Sequence, residues 1–170
     1  RMATRAILDM KGPCYLRTGR CALECVTDTF ENYHFEVGKG IQLVDGADVS
    51  IIACGLMVQE ALKAERILRK EGISARIIDM HTIKPIDKEI IQKAAKETGA
   101  IVTAEEHNII GGLGSAVSEV VVSDENVPVE MVGVKDVFGH SASPQILLQK
   151  YGLTPEDIAS AARRVVRRKK

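Results

Sequence analysis

The sequence lacks an excess of either charge: 23 Lys plus Arg face 23 Asp plus Glu. No global field therefore draws in nucleic acid or an anionic membrane. No apolar run approaches the ~20 residues of a membrane span, and no signal-peptide pattern is visible. Cysteine is sparse, at Cys14, Cys21, Cys25 and Cys54. The step from Cys21 to Cys25 fits neither the usual zinc pairs nor a CxxC redox motif. These cysteines read as reduced thiols of a cytoplasmic protein. Internal repeats and low-complexity segments are absent. So are GxSxG, HExxH, the dinucleotide fingerprint GxGxxG and a P-loop.

What is present suits a globular domain. Of 170 residues, 45% are apolar and 27% charged, which matches one domain with at most part of a second. A chain of this size buries about 70% of its unfolded surface and needs no disulfide or metal to fold. It opens with Arg1, and Met2, Ala6 and Met10 already stand at helical spacing before Gly12-Pro13. Gly-Pro is a helix stop. This opening reads as a piece of something longer, or as one extra residue before a start at Met2.

Hydrophobic period then organises the chain. "CYLRT" (14–18) reads as a short strand, and residues 21–40 as a linker without clear period. "VSIIAC" (49–54) and "ARIIDM" (75–80) are apolar runs of the kind buried on both faces of a sheet. "AIVTAEE" (100–106) and "VPVEMVGV" (127–134) read as a third and a fourth strand, with Pro128 tolerable at an edge or a strand beginning. Between them, Met57, Val58, Ala61, Leu62, Ala64 and Leu68 form a helical stripe closed by Gly72, with Glu65 and Arg69 as an i,i+4 pair. Asp87 opens a second helix that ends at Gly99. Gly111 to Gly114 introduce a third, through about Val122. Ser143 can cap a short helix with Pro144 at its first position. The final helix has the fullest signature: Thr154 as cap, Pro155 next, Asp157 completing a capping box, and Leu153 set to staple onto Ile158. Alternating strands and helices predict an α/β fold of three layers, α/β/α. Its sheet is mostly parallel but mixed, with about five strands and helices on both faces. The terminal "RRVVRRKK" complements a helix dipole and reads as a solvated end.

Three stretches carry candidate sites. "EEHNIIGGLGS" (105–115) follows a strand, at the sheet edge where α/β proteins bind ligands. A helix starting at Gly114 or Ser115 would offer N–H groups to an anion, giving His107, Gly111, Gly112, Gly114 and Ser115 as a candidate anion or regulatory site. The competing reading is structural. In it, the glycines let the backbone pass close to a neighbouring element, and Glu106 and His107 bond local backbone. Metal binding is disfavoured, because adjacent residues on an extended chain point to opposite faces. "RTGR" (17–20) places Arg17 and Arg20 around a small turn, where guanidinium forks could grip phosphate or carboxylate, or simply face solvent. "DMHTIKPID" (79–87) holds Asp79, His81, Lys84 and Asp87 but no nucleophile–base set. His34 and His140 have no partner identifiable from sequence.

Taken together, "GPCYLRTGR", "ARIIDMHTIKPIDKEII", "IVTAEEHNIIGGLGSAVSEVV" and "SASPQILLQKYGL" resemble, in order, the C-terminal region of the transketolases. 1-Deoxyxylulose-5-phosphate synthase and the β subunit of 2-oxo acid dehydrogenases are the next likenesses. The resemblance implies a division of the chain. Residues 1–20 would end the family's middle, pyrimidine-binding domain, 21–40 would link, and 41–170 would form the C-terminal domain. It implies transfer of a two-carbon ketol unit from a ketose phosphate to an aldose phosphate, with thiamine diphosphate and Mg²⁺ at a homodimer interface. The family's metal motif GDG…N is absent, as is the glutamate that activates the aminopyrimidine. The cofactor and metal are therefore expected on the N-terminal and middle domains, in the same chain or a separate subunit, and this chain alone is expected to be inactive. Arg20 matches the second arginine of the family's "RTSR"-like turn, which contacts the substrate phosphate; Arg17 is a weaker match. Gly19 replaces the family's Ser in that turn. For residues 41–170 the family implies packing and dimer contacts. The other reading is a non-catalytic assembly or regulatory module.

Overall fold

The computed structural model describes the chain apart from residues 29, 31, 32, 125 and 170 and the side chain at 124. Residues 29, 31 and 32 of the expected linker thus lie outside the described residues. A short helix, α1 (Met2–Leu8), stands first and buries no residue. The remaining elements alternate. They are β1 (Ile41–Val44), β2 (Val49–Ala53), α2 (Met57–Lys70), β3 (Ala75–Asp79), α3 (Lys88–Thr98) and β4 (Ile101–Asn108). Then follow α4 (Leu113–Asp124), β5 (Val129–Val134), α5 (Pro144–Tyr151) and α6 (Pro155–Val166). The sheet order is β1-β3-β2-β4-β5. β3, β2, β4 and β5 run parallel, and β1 pairs antiparallel with β3. The architecture is the mixed, mostly parallel α/β sheet that the sequence predicts.

Two apolar cores flank this sheet, and strand alternation sorts residues between them. Ile51, Ile77 and Val102 join α2 and α6 on one face. Ile52, Ile78 and Ile101 join α3 and α4 on the other. The central strand β2 is buried at every position, which explains why its sequence shows no polar alternation. The stripe expected on α2 is buried at Met57, Val58, Ala61, Ala64 and Leu68, with Leu62 only half-buried.

Two expectations about strands are corrected. Residues 14–18 form no strand. Their β-like composition has no neighbour to pair with, because β1 and β5 edge the sheet and neither pairs with them. In its place Ile41–Val44 adds a strand without a run long enough to announce itself. It is half-buried throughout. The nearly buried guanidinium of Arg76 on β3 holds this edge, donating to Asp45 (3.1 Å) just after β1 and to Glu97 on α3 (2.5 Å). Two helix ends also differ. α1 stops at Leu8, with Asp9 as its C-cap, before reaching Gly12. Ser143 occupies the N-cap of α5 but makes no side-chain cap hydrogen bond.

The start of α6 follows its signature. The Thr154 hydroxyl accepts from the Asp157 N–H, and the Asp157 carboxylate accepts from the Thr154 N–H at 3.0 Å. Leu153 and Ile158 are both buried in the same core. Basic residues of the C-terminal run are paired: Arg163 with Glu71 and Glu156, Arg164 and Arg168 with Glu130. Among the described residues, no helix is long and apolar enough to cross a membrane. Replacing Thr154 with Ala should cost about 1 kcal/mol. In a domain of this size that lowers Tm by roughly 2–4 °C in thermal unfolding, and an unchanged Tm would show that the capping box is not stabilising.

Candidate functional site

The carboxyl edge of β2, β3 and β4 brings Cys54, Asp79 and Glu105 near one another. Glu105 is the centre of this edge. It lies in β4 register with Ile101 and Thr103, so its side chain turns toward the face that carries α4. It is almost fully buried. Its two oxygens accept the N–H groups of Leu113 and Gly114, each at 2.8 Å. Those are the first N–H groups of α4, which have no partner inside a helix, and a carboxylate there is also favoured by the helix dipole. The place that an external anion would take is therefore filled by the chain's own carboxylate.

The glycines follow from this arrangement. A Cβ at Gly112 would overlap the Glu105 carboxylate. A Cβ at Gly114 would lie 2.8 Å from Met131 Sδ and 2.9 Å from Thr103 Oγ1. Gly133 on β5 admits the same joint, where a Cβ would meet Ile109 at 2.7 Å. Ser115 stabilises the loop, its hydroxyl accepting from Gly111 N–H (2.9 Å) and donating to the Ile109 carbonyl (3.2 Å). His107 is exposed and its Nδ1 lies 3.1 Å from the adjacent Asn108 carbonyl. Gly111, Gly112 and Ser115 also line an open groove of about 580 Å³ with Lys84 and Lys88, whereas His107 and Gly114 do not. The structural reading of the sequence assigns Glu106 to the backbone, and the carboxylate that takes that part is Glu105. Register separates the two: with period 2, Glu105 falls on the buried face and Glu106 on the other.

Glu106 looks outward and meets the N-terminal arm. Arg17 Nη2 donates to the Glu106 carbonyl at 3.0 Å and lies 3.7 Å from its carboxylate. Arg20 is exposed, with no hydrogen bond or ion pair to the described residues. The two arginines that spacing makes equivalent thus differ, one engaged and one without a partner among the described residues. Farther along the arm, Gln59 on α2 donates to the Glu24 carbonyl at 3.0 Å.

Two titratable groups beside this edge are displaced by burial. Asp79, at the end of β3, has its carboxyl pushed up to about 6. The Cys54 thiol, following β2, is pushed up to about 12, first by burial and then by the nearby Glu105 and Asp79 charges. Such a thiol is inert at neutral pH. His81 stacks on Phe35 at 4.5 Å and is shifted down by burial. His140 pairs with the Tyr151 hydroxyl at 3.0 Å. Among the described residues no group of three His, Cys, Asp or Glu side chains could hold a metal ion.

This mixed, mostly parallel sheet with a capped β4–α4 joint belongs to a known class of α/β domain. A family model described as the transketolase C-terminal domain matches residues 38–158. A provisionally named transketolase C-terminal section of Methanocaldococcus jannaschii is 49% identical over 156 residues, covering 91% of this chain and 48% of the relative. One subunit of the apulose-4-phosphate transketolase of Phocaeicola vulgatus is 42% identical over 170 residues, covering 99% and 53%. A solved split-gene transketolase, described as an inactive beta4 tetramer, superposes with a TM-score of 0.91 at 47% identity, covering 99% of this chain and 56% of that one. The chain belongs to the transketolase C-terminal domain family. It spans about half the length of the curated relatives it matches.

Glu105→Ala should strand two buried N–H groups and leave a void, destabilising the fold by about 3 kcal/mol in denaturant unfolding. Gly112→Ala should act in the same direction, and wild-type midpoints for both would refute the internal cap. Asp79 supplies a pH signature of opposite sign to the usual carboxylate. Its folded-state value lies above the unfolded one, so the folded chain binds the extra proton, and the stabilisation is full below about pH 4 and lost as pH rises through about 6. Asp79→Asn should therefore raise Tm relative to wild type at pH 7.5, and by less at pH 5.

Proposed function

We propose that this chain is the distal part of a transketolase that moves a two-carbon ketol unit between sugar phosphates. The thiamine diphosphate and divalent cation are held by the remainder of the enzyme, in the same chain or a separate subunit, in a homodimer. The observation that carries this reading is the contrast between the two arginines of the arm. Arg20 is exposed and unengaged among the described residues, while Arg17 is committed to Glu106. A free guanidinium on a turn suits bidentate contact with a phosphate monoester. The likeness to transketolase subunits of about twice this length supports the division of labour.

The residues present do not fit the cofactor itself. The α4 N–H groups that could cradle a diphosphate are taken by Glu105, and the described residues offer no metal cluster. The role left to this chain is to bear Arg20 and to support the assembly. When the remainder is present, Arg20 orients the substrate phosphate, which fixes the sugar along the site and lowers the entropic part of the barrier.

In the full enzyme, Arg20→Ala should raise KM for phosphorylated sugars by ten-fold or more, the scale of one lost charge-assisted contact of about 1.5–3 kcal/mol. KM for unphosphorylated analogues should change little. Equal effects on both substrate types would remove the role.

A further inference from the structure

The arm that bears Arg20 is tied to the folded domain on both sides of that residue. Upstream, Arg17 Nη2 donates to the Glu106 carbonyl at 3.0 Å, with the Glu106 carboxylate 3.7 Å away. Downstream, Gln59 Nε2 on the first turn of α2 donates to the Glu24 carbonyl at 3.0 Å. Both ties reach from irregular backbone to rigid elements. Glu106 follows Glu105, whose side chain is locked onto α4. Gln59 sits on a helix packed across the sheet. Between the ties, residues 18–23 form no helix or strand and make no hydrogen bond to the described residues, so nothing within the span itself holds Arg20 in place.

We propose that Arg17, Glu106 and Gln59 are positioning residues that hold the Arg20 span against the C-terminal domain, so that this domain sets the site for the substrate phosphate. The inference rests on the reading of Arg20 as the phosphate contact. It gives Arg17 a different role from Arg20: its guanidinium is spent on the domain, not on substrate. It also gives the C-terminal domain a part in substrate selection without contact with the reacting carbons. A span fixed at two points loses less entropy on binding an anion than a free loop does, and the difference appears in KM for the phosphorylated sugar.

The sign of one substitution separates positioning from simple electrostatics. Glu106→Lys replaces a negative charge near the span with a positive one. By Coulomb attraction alone this would tighten a phosphate and lower its KM. By removing the carboxylate beside Arg17 and repelling its guanidinium from the residue-106 carbonyl, it should loosen the tie. KM for phosphorylated sugars should then rise, by about two- to five-fold for an exposed pair, with kcat at saturation moving less. Gln59→Ala, which changes no charge, should raise the same KM from the other end of the span. The assays use the full transketolase with its cofactor-binding domains, run beside Arg20→Ala. A selective KM rise in both variants supports the inference. A fall or no change in KM for Glu106→Lys overturns it while leaving Arg20 in place. Should Arg20→Ala strike phosphorylated and unphosphorylated sugars equally, the phosphate reading itself fails, and this one with it.

Discussion

The contact on which this domain's functional edge depends is Glu105 with the first N–H groups of α4. A buried carboxylate is costly unless its lone pairs are met. Here each oxygen receives one backbone donor at 2.8 Å, and the helix N-terminus gains a matching charge. The consequences spread outward. Gly112 must lack a side chain for the loop to close over the carboxylate, and Gly114 for α4 to start against Met131 and Thr103. The end of β4 is fixed, and Glu106, one residue on and facing the other way, becomes a firm anchor for the arm.

Much of this is legible in the sequence, and the exceptions have physical causes. The central strands and the helices α2, α3 and α6 are readable because burial on one or both faces imposes a strong period, and because Asp87, Thr154 and Gly99 are unambiguous end signals. β1 is not, because four half-buried residues carry no period; it is held by Arg76 and Asp45, distant in sequence. Residues 14–18 mislead in the reverse way, since strand-like composition forms a strand only where a partner edge exists. At the site, the choice between an anion cradle and a structural joint turns on which carboxylate faces inward. The spacing of Glu105 from Ile101 contains that fact, but only the helix packed above it gives the fact meaning. The inequality of Arg17 and Arg20 is invisible to spacing, because it depends on a contact 89 residues away.

On the proposed reading two kinds of work are separated. The electronic chemistry falls to a cofactor held by the remainder of the enzyme. This chain supplies rigidity and Arg20, whose guanidinium has no partner among the described residues. The α4 N-terminus is satisfied from within, by the Glu105 carboxylate.

The most direct test of this separation is calorimetric titration of the polypeptide with thiamine diphosphate and Mg²⁺, with and without Glu105→Ala. No saturable heat and no rise in Tm are expected for the native chain. Saturable micromolar binding to the native chain would contradict the separation, because the diphosphate would then be held by groups that the Glu105 carboxylate is said to occupy.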